Sequence, residues 1–245
     1  MRTVVLIPAR FASSRYPGKP LVELLGKPMI LWVAELSAKA VGRSNTYIAT
    51  DSEAIAKVVV DAGYQAIITT EEALTGTDRL AEAAEKIAAD IFINVQGDEP
   101  LVCPTDIIKV RDAKLKNMDS VVNGFCWLSK EEDVNNINIP KVITNQENKL
   151  IYMSRAPIPG FKDPQNAPPR YKKQVCIYGF TREELAAFKS FNQKSSLEQC
   201  EDIEILRFFE LGKNILMVET KPGSLAVDCP EDVANVEAAL TLASL

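Results

Sequence analysis

Three cations, Arg10, Arg15 and Lys19, fall within ten residues near the start of the chain, interleaved with Ala12, Ser13, Ser14 and Gly18. Small residues let a polyanion approach backbone N–H groups and closely spaced cations neutralise it, so the stretch has the chemistry of a phosphate-binding loop. An ordinary loop with solvated charges has the same composition, and these residues alone do not separate the two. The apolar run 4–7, stopped by Pro8, reads as a strand buried on both faces that delivers the loop. A Walker A motif is excluded: counting back from Gly18-Lys19, its first glycine falls on Ser13 and its metal-ligating hydroxyl on Pro20. A Gly-x-Gly-x-x-Gly dinucleotide fingerprint is absent from this turn too.

Two acidic clusters offer complementary chemistry. Gln96-Gly97-Asp98-Glu99-Pro100 follows the apolar stretch 91–95, where a carboxylate could hold Mg2+ against a nucleotide phosphate. The alternative is a turn in which Asp98 caps a helix beginning near Pro104. Asp228 opens Asp228-Cys229-Pro230-Glu231-Asp232, read as a helix start with Pro230 at the first position and acidic residues in the first turn. Asp228 is thus either a helix-capping carboxylate or a second metal ligand.

Composition narrows the chemistry. The 245-residue chain has no histidine, which excludes Ser-His-Asp and Cys-His catalysis, HExxH zinc chemistry and an imidazole base. Carboxylates, Lys, Arg, Tyr or oxygen-bound metal ions remain. Five singly spaced cysteines with no C-x-x-C pair argue for reduced thiols and against zinc. A net charge of -5 argues against a nucleic-acid face. No leader and no apolar run of membrane length is read, so a cytoplasmic protein with no membrane partner is expected.

The elements that must position these residues alternate. Helix 28–40, strand 46–50, helix 52–61 capped by Asp51, strand 65–69, a helix opened by Thr75-Gly76-Thr77-Asp78-Arg79 and running to 89, and strand 91–95 follow the first strand. This is the pattern of an α/β doubly wound, mostly parallel sheet, and ligands of such sheets sit beyond the strands' carboxyl ends. Strands at 118–127, 141–152 (turning at 145–148) and 174–180 follow, with a Pro-rich loop over 157–169 that could be a lid or a partner-contacting arm. Then come helix 182–188, a helix from Ser195 or Ser196 to Leu211 with overlapping capping boxes, strand 215–219 and the terminal helix. One domain spanning 1–245 is expected, with a smaller sugar-binding and dimerisation lobe around 120–210.

Colinear motifs resemble a known family: Ile7-Pro8-Ala9-Arg10, Tyr16-Pro17-Gly18-Lys19-Pro20-Leu21, Gly26-Lys27-Pro28-Met29-Ile30, Ala49-Thr50-Asp51, Gly76-Thr77-Asp78-Arg79, Asn94-Val95-Gln96-Gly97-Asp98-Glu99-Pro100, Tyr152-Met153-Ser154-Arg155, Ile177-Tyr178-Gly179 and Val227-Asp228-Cys229-Pro230-Glu231-Asp232. Together they look like the 3-deoxy-manno-octulosonate (Kdo) cytidylyltransferases, or CMP-Kdo synthetases. The resemblance implies a nucleotide-diphospho-sugar transferase-like fold, and transfer of CMP from CTP to the anomeric hydroxyl of an eight-carbon acid sugar. Pyrophosphate release, Mg2+ as cofactor, a role in lipopolysaccharide biosynthesis and a homodimer are implied with it. By position, Arg10, Lys19 and Asp98 are the implied catalytic residues; Arg10, Ser13, Lys19, Thr77 and Gln96 bind the nucleotide. Arg79, Gln96, Arg155, Gln174, Tyr178, Glu204 and Ile205 bind the sugar, and Asp98 and Asp228 hold the metal. In-line attack at the α-phosphorus needs positioning, charge neutralisation and an activated hydroxyl, none of which requires histidine.

Two departures fall on the implied sugar side: Gln174 stands where the family usually has His, beside Cys176 where it usually has Gly, and Ile205 where it usually has Gln. They point to a modified acceptor, with the 8-amino-3,8-dideoxy sugar as first candidate and unmodified Kdo as the alternative. A non-catalytic nucleotide-binding module and a sialic-acid-type cytidylyltransferase are the other readings; retention of Lys19, Asp98 and Asp228 disfavours the first, and the forms of 96–100 and 227–232 the second.

Overall fold

The computed structural model describes residues 1–12, 16–222 and 225–243. In chain order the elements are β1 Thr3–Ala9, β2 Glu23–Leu24, β3 Lys27–Pro28, α1 Met29–Val41, β4 Thr46–Thr50, α2 Glu53–Asp61, β5 Gln65–Ile68, α3 Gly76–Glu85, β6 Ile91–Val95 and α4 Pro104–Lys116. There follow β7 Val121–Trp127, β8 Lys141–Thr144, β9 Leu150–Ser154, β10 Lys172–Thr181, α5 Arg182–Ser190, α6 Ser196–Glu201, α7 Ile205–Glu210, β11 Ile215–Glu219 and α8 Asp232–Ala243.

The main sheet runs β11-β7-β10-β6-β1-β4-β5, with β8 and β9 continuing from β10. Four of the six neighbouring pairs along that path are parallel; β10 alone runs against its neighbours β6 and β7. Alternation along β1 explains the two-sided packing: Val4 and Leu6 join one apolar cluster with Leu80 of α3, Phe188 of α5 and Phe208 of α7. Val5 and Ile7 join the other, with Val33 of α1, Val59 of α2 and Val110 of α4. Helices therefore cover both faces, as doubly wound sheets require.

Several local expectations are corrected. Ser52, not Asp51, caps α2 by accepting from the Ile55 N–H, which releases Asp51 for the site. α3 ends at Glu85 rather than 89. The helix expected through Leu211 breaks in two at Asp202, which takes a left-handed φ of 50°. The terminal helix starts at Asp232, not near Pro230, because the Asp232 Oδ2 closes a turn by accepting from the Asp228 and Cys229 N–H groups (2.8 and 2.9 Å). Among the described residues no helix is long and apolar enough to cross a membrane.

Candidate active site

The carboxyl ends of β1 and β6 meet closely, and one residue makes that possible. A Cβ on Gly97 would stand 2.7 Å from the Pro8 carbonyl oxygen, inside any tolerated contact, so only glycine lets the two strand ends converge. A cleft of about 670 Å3 opens above them. Its floor carries Pro8, Ala9 and Arg10 from the end of β1, Gln96, Gly97 and Asp98 from the end of β6, and Thr75, Gly76 and Arg79 from the start of α3.

Lys19 enters from a 3₁₀ turn, Lys19–Leu21, that Gly18 sets up in a left-handed conformation (φ 71°). Its Nζ donates to Asp98 Oδ2 at 2.6 Å and lies 3.6 Å from Asp228 Oδ1. The Asp98 carbonyl accepts from the Val227 N–H (3.0 Å), which brings the C-terminal segment, and with it Asp228, to the loop after β6. Asp98 therefore does not cap α4, whose N-cap position is Cys103. Two carboxylates from distant parts of the chain thus converge on one ammonium group. Hard oxygen donors of this kind suit Mg2+, which is commonly held by one or two carboxylates together with substrate phosphates. Among the described residues there is no group of three or more His, Cys, Asp or Glu side chains that could hold a metal by itself, so the donor set fits an ion carried in with a nucleotide.

Arg79 is buried and committed: Nη2 donates to Asp51 Oδ2 (2.7 Å) and Nη1 to the Thr69 hydroxyl. Asp51 also accepts from the Phe11 N–H (3.2 Å), so this ion pair fixes the start of the cationic loop. Glu204 lines the cleft and accepts from the Gly76 N–H (3.1 Å), the Thr77 N–H (2.8 Å) and the Thr77 hydroxyl (2.6 Å). A carboxylate at a helix N-terminus satisfies donors that have no partner within the helix.

The cleft also has a wall of Ile137, Asn138, Arg155, Lys194 and Asp202, joined to the floor by Glu204 through its bonds to Gly76 and Thr77. Arg10, Lys19, Gln96, Asp98, Asp228, Arg79, Arg155 and Glu204 are thus brought to one cleft. Thr77, Gln174, Tyr178 and Ile205 are not among its lining residues. Gln174 Nε2 donates to Asn123 Oδ1 (3.2 Å) and to the Tyr178 hydroxyl (3.1 Å), and burial, helped by nearby Cys176 and Glu204, pushes the Tyr178 phenol well above its ordinary value. Ile205 is 1 % exposed within an apolar cluster. Ser13 lies outside the described residues.

The sequence profile described as Cytidylyltransferase matches residues 4–215, which is most of the chain. The chain belongs to the cytidylyltransferase family. It is 39 % identical to the 3-deoxy-manno-octulosonate cytidylyltransferase of Geobacter metallireducens, with 96 % of each chain covered. It is also 36 % identical to the 8-amino-3,8-dideoxy-manno-octulosonate cytidylyltransferase of Shewanella baltica, covering 99 % of this chain and all of that one. Among solved structures it is similar to CMP:2-keto-3-deoxy-manno-octonic acid synthetase complexed with CTP, at a TM-score of 0.92 and 35 % identity, covering 99 % of this chain and 100 % of the other.

Sequence reasoning missed part of this cytidylyltransferase's cleft. Asp and Ser are equally good N-caps, so Asp51-Ser52 leaves the cap ambiguous in sequence; Ser52 takes it and Asp51 is freed for the site. Ile137, Asn138 and Lys194 lie in loops without any chemical motif, and the capping boxes before it place Asp202 inside a helix that the structure ends there.

Proposed function

We propose that the enzyme transfers CMP from CTP to the anomeric hydroxyl of a 3-deoxy-octulosonic acid, releasing pyrophosphate. The observation that carries this reading is the convergence of Lys19, Asp98 and Asp228 at the strand ends, with a polar wall in the same cleft. Lys19, with Arg10 lining the same cleft, neutralises the triphosphate and the charge that moves onto pyrophosphate as it leaves. Asp98 and Asp228 would hold Mg2+, which when bound supplies further charge neutralisation and polarises the phosphate oxygens. Gln96 and Arg79 orient the substrates at the floor, and the wall around Arg155 and Asn138 holds the acid sugar so that its hydroxyl lies in line with the α-phosphorus. Relatives named for Kdo and for its 8-amino analogue match at similar identity, so both sugars are candidates; Gln174, unusual for the family, favours the amino sugar. We further read the enzyme as a cytoplasmic homodimer serving lipopolysaccharide synthesis.

The deciding assay is pyrophosphate release from CTP and Mg2+ with a panel of acid sugars. Release with Kdo or 8-amino-Kdo and none with sialic acid is expected. Release with sialic acid alone, or with no acid sugar, overturns the proposal.

A further inference from the structure

Lys141 is fully buried, yet the hydrogen bonds of its ammonium among the described residues go to backbone carbonyls and not to a carboxylate. Its Nζ donates to two backbone carbonyls, that of Asn136 (3.0 Å) and that of Arg155. Burial, reinforced by the Arg155 charge, pulls its ammonium below the ordinary lysine value, a cost that persists only where the surroundings hold the group firmly.

Arg155 in turn spends its guanidinium on backbone: Nε donates to the Glu201 carbonyl, Nη1 to Ile137 (2.7 Å) and Nη2 to Asp202 (2.9 Å). The Glu201 carboxylate completes the knot, accepting from the Arg155 N–H (2.8 Å) and the Ser154 hydroxyl (2.6 Å). Each partner segment, 136–138, 154–155 and 201–202, supplies or adjoins a residue of the cleft wall. Lys141 itself begins β8, paired with β9 and β10, so the knot ties the loop 136–138, the end of β9 and the end of α6 to the sheet. None of these bonds reaches the Lys19, Asp98 and Asp228 floor. We propose that Lys141 and Glu201 are positioning residues that act through Arg155 to set the wall against which the acceptor, and not the nucleotide, is held.

This rests on the proposed reaction for its kinetic test. Lys141→Met, Lys141→Arg and Glu201→Gln are compared with the unmodified enzyme for acceptor KM at saturating CTP, CTP KM at saturating acceptor, kcat and Tm. Glu201→Gln, which keeps side-chain size, decides the matter if Lys141→Met does not fold. Expected is a rise of at least ~10-fold in acceptor KM, with CTP KM within ~2-fold of the unmodified enzyme and partial recovery in Lys141→Arg, matching the loss of a charge-assisted hydrogen bond. Unchanged acceptor KM in a folded variant, or equal rises in both KM values, overturns the proposal. Hydrogen exchange is read in parallel: amides of 136–139 and 201–204 should exchange faster in the variants, while those of 19–22 do not. If the unmodified enzyme turns over no acid sugar, the proposed reaction fails, and the exchange pattern alone decides whether the knot holds the wall; uniform exchange across both segments overturns it.

Discussion

The floor and the wall of the cleft are built on opposite plans. On the floor, the charged side chains at the strand ends meet each other: Lys19 pairs with Asp98 and Asp228. Beneath the wall, Lys141 and Arg155 instead grip backbone carbonyls. A floor residue acts by its own charge, so its type betrays it in the sequence. A wall residue acts by holding a loop, and its type says little. Mutations should therefore separate the two: floor changes should reduce kcat with little loss of stability, and changes beneath the wall should cost stability or acceptor affinity more than kcat.

The largest effect should come from Arg207, in α7, the second piece of the broken helix. It is fully buried, clamped by Glu198 (2.7 and 2.8 Å) and Asp78 (2.8 Å). Burial works against its charge, but the two carboxylates outweigh that and raise its pKa. Arg207→Met leaves both carboxylates without their partner, and a loss of about 3–5 kcal/mol of unfolding free energy in urea is expected. A loss under ~1 kcal/mol would mean that the segment 196–210 is held by packing alone.

Next comes the floor. Asp98→Asn keeps shape and removes charge from a side chain that is 27 % exposed, so stability should hardly move. Turnover should fall at least ~10²-fold, about 2.7 kcal/mol. Near-normal kcat with Mg2+ present would falsify the assignment of Asp98 as a metal ligand and erase the contrast with the wall.

That contrast also explains what could be read from the sequence. The alternation of strands and helices up to β6 was legible, as was the cationic composition of the first loop, because periodicity and side-chain charge are local properties. The antiparallel insertion of β10 between β6 and β7 was not, since strand direction depends on which edges remain unpaired once the chain has folded. The break at Asp202 was hidden for a related reason. Both capping boxes and the apolar spacing favour one continuous helix, and the left-handed residue is held by tertiary partners: its carbonyl accepts from Arg155 and its carboxylate from Lys194. The role of Asp51 was likewise set by Arg79, 28 residues away in sequence.

A smaller effect tests the sugar side. Gln174 bonds to Asn123 and Tyr178, and Ile205 is packed in apolar surroundings, so neither touches the cleft and their influence on the acceptor must pass through neighbours. The double variant Gln174→His, Ile205→Gln should shift the ratio of kcat/KM for Kdo over 8-amino-Kdo by about tenfold, about 1.4 kcal/mol. Because a ratio is measured on one enzyme, any loss of folded protein cancels. An unmoved ratio would remove these positions from acceptor choice and leave it to the wall itself.

The smallest effect is a titration. Burial alone would raise the Glu201 carboxyl, but hydrogen bonds from the Arg155 N–H, Ser154 and Tyr152 outweigh it and hold it below the ordinary value of 4.5. A carboxylate with a depressed folded-state pKa stabilises fully above its unfolded value and loses that contribution as pH falls through the folded one. Glu132 and Asp232 are depressed as well, so the acid limb of the unmodified enzyme is a composite. Subtracting the profile of Glu201→Gln isolates the knot: the stability difference should be constant above about pH 5 and shrink below 4.5. If the bonds that depress Glu201 are those that hold the wall, the acceptor KM of the unmodified enzyme relative to that of Glu201→Gln should rise in the same window, while the corresponding CTP KM ratio does not move. A stability difference that stays flat through pH 3 would show that the carboxylate is not bound as tightly as its three donors require.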